Sequence, residues 1–285
     1  MSQTTDIKIF MDESGKDNDI SLFGGVSIPT NNYNTPAIQQ LNTKLVNGEL
    51  HFHFTKYTRY EFQNYYDLIH AFLSISDSIS INIIAWKKNI FTRHDLLKDL
   101  YSDMVYSKIP ERVCYGLLRN HSNLVGISAD LFIESSTEYK NRNLQDNVKK
   151  QVNTHALYRY DTFRIRKSLL AEKNVQIGLE FTDTLIGIIR FIMVHASMAD
   201  ASDRNSNNFR NKVDFIKTVL PELMVLIKKV NIFELTAQDH LTKISLPKCV
   251  SLFEANTINI GSEHIKVAKN YPNLRANRKK YLNRL

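Results

Sequence analysis

The run Ile7-Lys8-Ile9-Phe10-Met11 passes without a break into Asp12-Glu13-Ser14-Gly15, and a second apolar run follows over 20–28. Two strand-length runs on either side of an acidic glycine turn predict a β-hairpin with carboxylates at its mouth. A sheet built on these strands must accommodate an acid at the end of a buried strand. Burying a carboxylate is costly unless something compensates, and a divalent cation is one such partner. An ordinary acidic β-turn is the plainer reading, because Asp, Ser and Gly are common turn formers. The other acids along the chain bear on the choice.

Further elements follow in strand-helix alternation. A loop is expected over 29–34, then a helix over 36–46 that ends at Asn47-Gly48. Glu49-Leu50-His51-Phe52-His53-Phe54 alternates with period two, as an exposed-face strand or an extended segment does. Residues 58–75 space Phe62, Tyr65, Tyr66, Ile69, Phe72 and Leu73 as one helix face, an aromatic stripe that suits a core. A β-branched strand is expected over 79–86, and a helix from about His94 that breaks or kinks at Pro110. Over 124–134 the alternation sets Ser128, Asp130, Phe132 and Glu134 on one strand face. A polar helix over 143–160, a strand over 163–170 and an apolar helix over 180–195 with Asp183 in its first turns complete this part. The small polar stretch 197–208 reads as a break. Beyond it a helix over 209–230, with Pro221 at a boundary, leads into an ambiguous segment. The order predicts an α/β protein: a mixed sheet flanked by helices over 1–196, then a mostly helical extension over 197–285.

With 285 residues, 43% of them hydrophobic and 23% charged, the chain can bury one large core. Cys114 and Cys249 are far apart, form no metal-ligand spacing and suit a reducing cytoplasm. The opening residues lack the basic and apolar parts of a secretory signal, and no apolar run reaches membrane-spanning length. A cytoplasmic location without a membrane partner is therefore expected. The formal net charge of +8 is concentrated at one end. Lys266, Lys269, Arg275, Arg278, Lys279, Lys280 and Arg284 occur there without an acid, with Tyr271 and Tyr281 among them. Such a mix suits a nucleic-acid arm, and equally a solubilising terminal segment.

Four acids stand at comparable places. Asp12 follows the first strand, Glu49 opens the alternating segment, Glu134 ends the fourth strand, and Asp183 sits early in an apolar helix. Acids from separate elements can converge, and converging carboxylates raise one another's pKa unless a cation neutralises them. Hard oxygen ligands select Mg²⁺ or Mn²⁺. Such a set suits metal-assisted phosphodiester cleavage, in which one ion activates water and another stabilises the leaving oxygen.

Asp12-Glu13-Ser14-Gly15 followed by Leu22-Phe23-Gly24-Gly25-Val26 resembles the opening of the bacterial domain-of-unknown-function family 3800. Glu49-Leu50-His51-Phe52 is similar to that family's Glu-Leu-Lys/His segment, and Ile133-Glu134-Ser135-Ser136 lies where it usually has Ile-Asp-Glu. Leu179-Glu180-Phe181-Thr182-Asp183-Thr184-Leu185-Ile186-Gly187 looks like its Leu-Gln-Leu-Ala-Asp-Leu-hydrophobic-Ala-Gly helix, with Glu172-Lys173 matching the Ser-Lys pair upstream. The similarity covers residues 6–195. It implies an RNase H-like fold and a metal-dependent nuclease, often in mobile-element or phage-defence settings. Two departures stand out: Glu for Asp at 134 lengthens the reach by one methylene, and Glu180 for Gln adds a charge beside Asp183.

On this reading Asp12, Glu134 and Asp183 hold the metal, and Glu49 completes the site or positions water. Glu13 supports it or merely turns the chain, Asp130 is the fallback ligand, and Lys173 binds phosphate or is an ordinary surface lysine. DNA or RNA is the partner, with room for a protein partner or a homo-oligomer. The rival is a nuclease-like fold without catalysis that binds nucleic acid or protein. His51 and His53 share one face without a third ligand at useful spacing. Gly24-Gly25 suits close packing rather than a phosphate cradle, since no helix follows directly. Nucleotide-triphosphate and serine-hydrolase motifs do not occur.

Overall fold

The computed structural model describes residues 4–15, 20–91, 100–119, 126–196, 206–236, 241–258 and 260. Seven strands form one mixed sheet: β1 Thr4–Ser14, β2 Ser21–Pro29, β3 Ser80–Trp86, β4 Gly126–Glu134, β5 Phe163–Ala171, β6 Val230–Leu235 and β7 Leu241–Lys243. Their order is β5-β4-β1-β2-β3-β6-β7. The β1–β2, β2–β3 and β6–β7 pairs are antiparallel, whereas β1–β4, β4–β5 and β3–β6 are parallel. The longer helices are α1 Pro36–Val46, α2 Phe62–Leu73, α3 Ile109–Arg119, α4 Leu144–Arg159, α5 Ile177–Ala196, α6 Asn207–Ile227 and α7 Leu246–Asn256.

Alternation along β1 divides the core into two layers. Ile7, Ile9 and Met11 join Val113, Leu117 and Val148 from α3 and α4 on one face. Phe10 points to the other face, under α5, together with buried residues of α1, α2, α6 and α7. Asp12 continues the Phe10 side, and so comes to lie under α5. Gly24, the partner of Asp12 in β2, lets that helix approach: a Cβ there would stand 2.8 Å from Ile186 Cδ1.

The first turn of α5 is equally close to the sheet. A Cβ at Gly178 would meet the Phe10 ring at 2.4 Å. Gly→Ala in a helix ordinarily stabilises by up to ~1 kcal/mol. Here the sign reverses, because the Phe10 ring is buried, tilted against Tyr33 at 5.1 Å and stacked on Phe132 at 5.4 Å. Gly178→Ala is expected to destabilise by roughly 2–3 kcal/mol, as overpacking does. Urea unfolding checks this, and an unchanged midpoint would show that α5 can lift off the sheet freely.

Several elements depart from expectation. Residues 30–33 form a short helical turn rather than a loop. The 49–54 segment joins no strand: Glu49 is a bend and Phe54 opens a 3-10 turn over Phe54–Lys56, while the alternation appears as burial of Leu50, Phe52 and Phe54. Pro110 follows a π-helical turn over Met104–Lys108, so the irregularity falls just before the proline, which has no N–H to give. The start of that helix near His94 lies outside the described residues. Pro221 sits inside α6, not at its boundary. Its ring is on the exposed side while Leu220, Leu223 and Leu226 anchor the helix.

The C-terminal third is not a separate helical extension. β6 pairs with β3 in the same sheet, and Phe215 of α6 packs on Tyr57 at 4.8 Å within the core shared with α2 and α5. The boundary expected at 196/197 therefore does not divide two cores. No helix among the described residues is long and apolar enough to cross a membrane.

Candidate functional site

Three elements deliver acids to one place. Asp12 comes from the end of β1, Glu134 from the end of β4 and Asp183 from the second turn of α5. Asp12 is buried, and its Oδ1 accepts the N–H of Glu13 at 2.8 Å. Burial lifts its pKa well above the ordinary carboxylate range; the charges of Glu134 and Asp183 add to this, as does a hydrogen bond with Glu134. Asp183 is pushed up to about 6, mainly by burial and also by Glu134, against the pull of Lys173 and an N–H from Phe54. Its Oδ2 is buried without a hydrogen-bond partner.

Lys173 borders this cluster at its open side. Its Nζ is 3.3 Å from Glu134 Oε1 and 3.4 Å from His53 Nδ1. Burial works against its charge, but Glu134, Asp183 and Asp12 outweigh that and hold the ammonium above its ordinary pKa. His53 is shifted down by burial and by the neighbouring Lys173 and Lys56. The 49–54 segment thus contributes through its outward-facing histidine and through the backbone of Phe54.

Glu180 is the acid absent from the expected set. It is 2% exposed, one helical turn before Asp183, and its pKa rises to about 7 through burial. Its Oε1 accepts the N–H of Asn174 at 2.8 Å, and Asn174 adopts a left-handed φ of 61°. Glu180 therefore ties down the turn that presents Lys173. Its i, i+3 spacing from Asp183 was the signal available in the sequence.

The remaining candidates lie elsewhere. Glu49 is exposed, accepts from Asn47 at 3.3 Å and is not among the charges acting on Asp12 or Asp183. Its place in the site is corrected: Glu49 stands on the bend that follows α1, held to Asn47 and four residues short of His53, the side chain of this segment that does reach Lys173. Glu13 points to the opposite sheet face, where Tyr139 Oη donates to it at 2.8 Å. Asp130 shares the strand face of Glu134 but is engaged by Arg166 in two hydrogen bonds of 3.1 and 2.8 Å, and so is no longer a ready ligand. Lys266, Lys269, Arg275, Arg278, Lys279 and Lys280 lie outside the described residues.

The donor chemistry fits a hard divalent cation: three carboxylates, two of them raised in pKa, and one buried oxygen without a partner. Among the described residues, no three His, Cys, Asp or Glu side chains are yet gathered tightly enough to hold an ion. Lys173 supplies positive charge to the cluster in this arrangement. Fold and site together define an α/β protein with a mixed seven-stranded sheet and a buried acidic cluster at the ends of its strands. The chain matches no family model and no curated protein.

Proposed function

We infer that this protein is a divalent-metal-dependent nuclease with an RNase H-like sheet, of the kind found in family 3800. The observation that supports it most is the meeting of Asp12, Glu134 and Asp183 from three separate elements, two of them with raised pKa values. A purely structural role would not require acids to oppose one another under a helix. The central order β5-β4-β1-β2-β3, with only β2 antiparallel to its neighbours, is in keeping with the implied fold.

Asp12, Glu134 and Asp183 would hold the ion. When bound, Mg²⁺ or Mn²⁺ would lower the pKa of water and stabilise the leaving oxygen. Lys173, kept charged by the cluster, would meet a non-bridging phosphate oxygen at the mouth of the site. Glu180 would fix the Lys173 turn. His53, with its lowered pKa, stays neutral near pH 7 and can accept a proton there.

The reading is tested with purified protein and labelled single- and double-stranded DNA and RNA. Cleavage should require Mg²⁺ or Mn²⁺ and stop with EDTA. A second reading, a binding module without catalysis, is favoured by Lys173 already pairing with Glu134 and offsetting the charge of the cluster. Absence of cleavage on every form with both metals, alongside retained binding, would establish that rival.

A further inference from the structure

The face of β4 and β5 that continues from Glu134 is patterned in a way the acid cluster does not require. In parallel strands, paired residues point to one side. Glu134 lies beside Ala171, Phe132 beside Leu169, and Asp130 beside Lys167 and, across β1, beside Lys8. Two residues along a strand advance about 7 Å. An acidic end is thus followed by an apolar step and then, about 13 Å from Glu134, by a basic one.

The apolar step is partly open: Leu169 is 49% exposed although it belongs to a strand. At the basic step Asp130 is taken up by Arg166, the extra residue of a β-bulge opposite Ala129 and Asp130. Lys8 lies over the Phe132 and Tyr33 rings at 5.4 and 5.0 Å. Among the described residues no carboxylate pairs with Arg164 or Lys167, both exposed on β5. β5 carries no acid of its own, and two residues past its end stands Lys173.

We propose that this face is a track for a nucleic-acid single strand, with Arg164 and Lys167 on its phosphates and Leu169 against a base, leading into the acid cluster. It deepens the nuclease reading and rests on it for the direction of the track. A single strand fits better than a duplex, since only unpaired bases offer a ring face to Leu169. Basic residues on an edge strand also guard against edge-to-edge pairing. Charge reversal separates the two roles, because glutamate keeps that guard and repels phosphate.

The test is fluorescence anisotropy in EDTA with the full chain and a labelled DNA strand, the matching RNA strand and the DNA duplex. Arg164→Glu/Lys167→Glu should weaken single-strand binding at least about tenfold and flatten its log-log salt slope by about 1.4, at about 0.7 per phosphate. Both residues are exposed, so the melting temperature should stay unchanged. Leu169→Trp supplies an independent reporter, quenched on strand binding, while Trp86 is buried against Tyr101 and silent. Unchanged affinity and slope, an unquenched Leu169→Trp, or equal sensitivity of the duplex would overturn the track. Cleavage in a chain whose binding ignores these variants would remove the track and leave the nuclease. Sensitive binding without cleavage would do the reverse.

Discussion

Asp12→Asn should lower metal-dependent cleavage by about 10³-fold or more while leaving the metal-free fold at least as stable as wild type. Asparagine keeps the size of the side chain, and its Oδ1 can still accept the Glu13 N–H. What is lost is a charge that burial, Glu134 and Asp183 all oppose. A residue whose charge burdens the fold and supports activity is the mark of a ligand or catalytic group. Glu49→Gln provides the contrast, with activity within about twofold of wild type, because an exposed group away from the site contributes little. Steady-state cleavage rates beside urea midpoints check both. Full activity in Asp12→Asn would end the metal role, and loss of activity in Glu49→Gln would return that residue to the site.

The metal-free protein should become less stable between about pH 4 and pH 8, and Mg²⁺ or Mn²⁺ should reverse most of that loss. Asp183 rises from an ordinary 3.8 to about 6, and Glu180 from 4.5 to about 7. Folded chains therefore bind more protons than unfolded ones across that window, so stability is full below it and falls as pH rises through it. Each shift corresponds to roughly 3 kcal/mol; the two interact, and a total loss of a few kcal/mol is expected. In melting temperature that is roughly 5–10 °C for a chain of this size. Cations should add little at the acid end, where the carboxyls are protonated, and most near pH 8. Thermal melts over pH with EDTA or Mn²⁺ decide it. A flat profile in EDTA would mean that the acids are better solvated than their burial suggests.

Much of the N-terminal architecture was legible because its cues are local. The hairpin shows as two apolar runs, α1 begins at Pro36 and ends at Asn47-Gly48, and β4 shows its two faces in plain alternation. The role of β6 was not legible. Val230–Leu235 is short, and its partner β3 lies far back in the sequence, so nothing local signals the pairing. The site followed the same division. Asp12, Glu134 and Asp183 could be picked out as acids at element ends. Asp130 fits the same rule and fails it, because a bulge on β5 brings Arg166 across. Glu49 was picked with them because it opens the alternating segment, and it fails because that opening is an exposed bend tied back to Asn47 at the end of α1.

The pairing of β6 with β3 also has a consequence during synthesis. Ser80–Trp86 is rich in isoleucine, and its outer edge is completed only by Val230–Leu235. At about 5–20 residues per second, a ribosome needs roughly 7–30 s to travel from one strand to the other. For that interval the nascent chain holds an apolar, β-branched strand with one edge unsatisfied, the kind of segment that recruits other strands. Ribosomes that stall before residue 230 would therefore release chains with an open sheet. Such products should be substrates for holding chaperones or for degradation rather than smaller folded proteins.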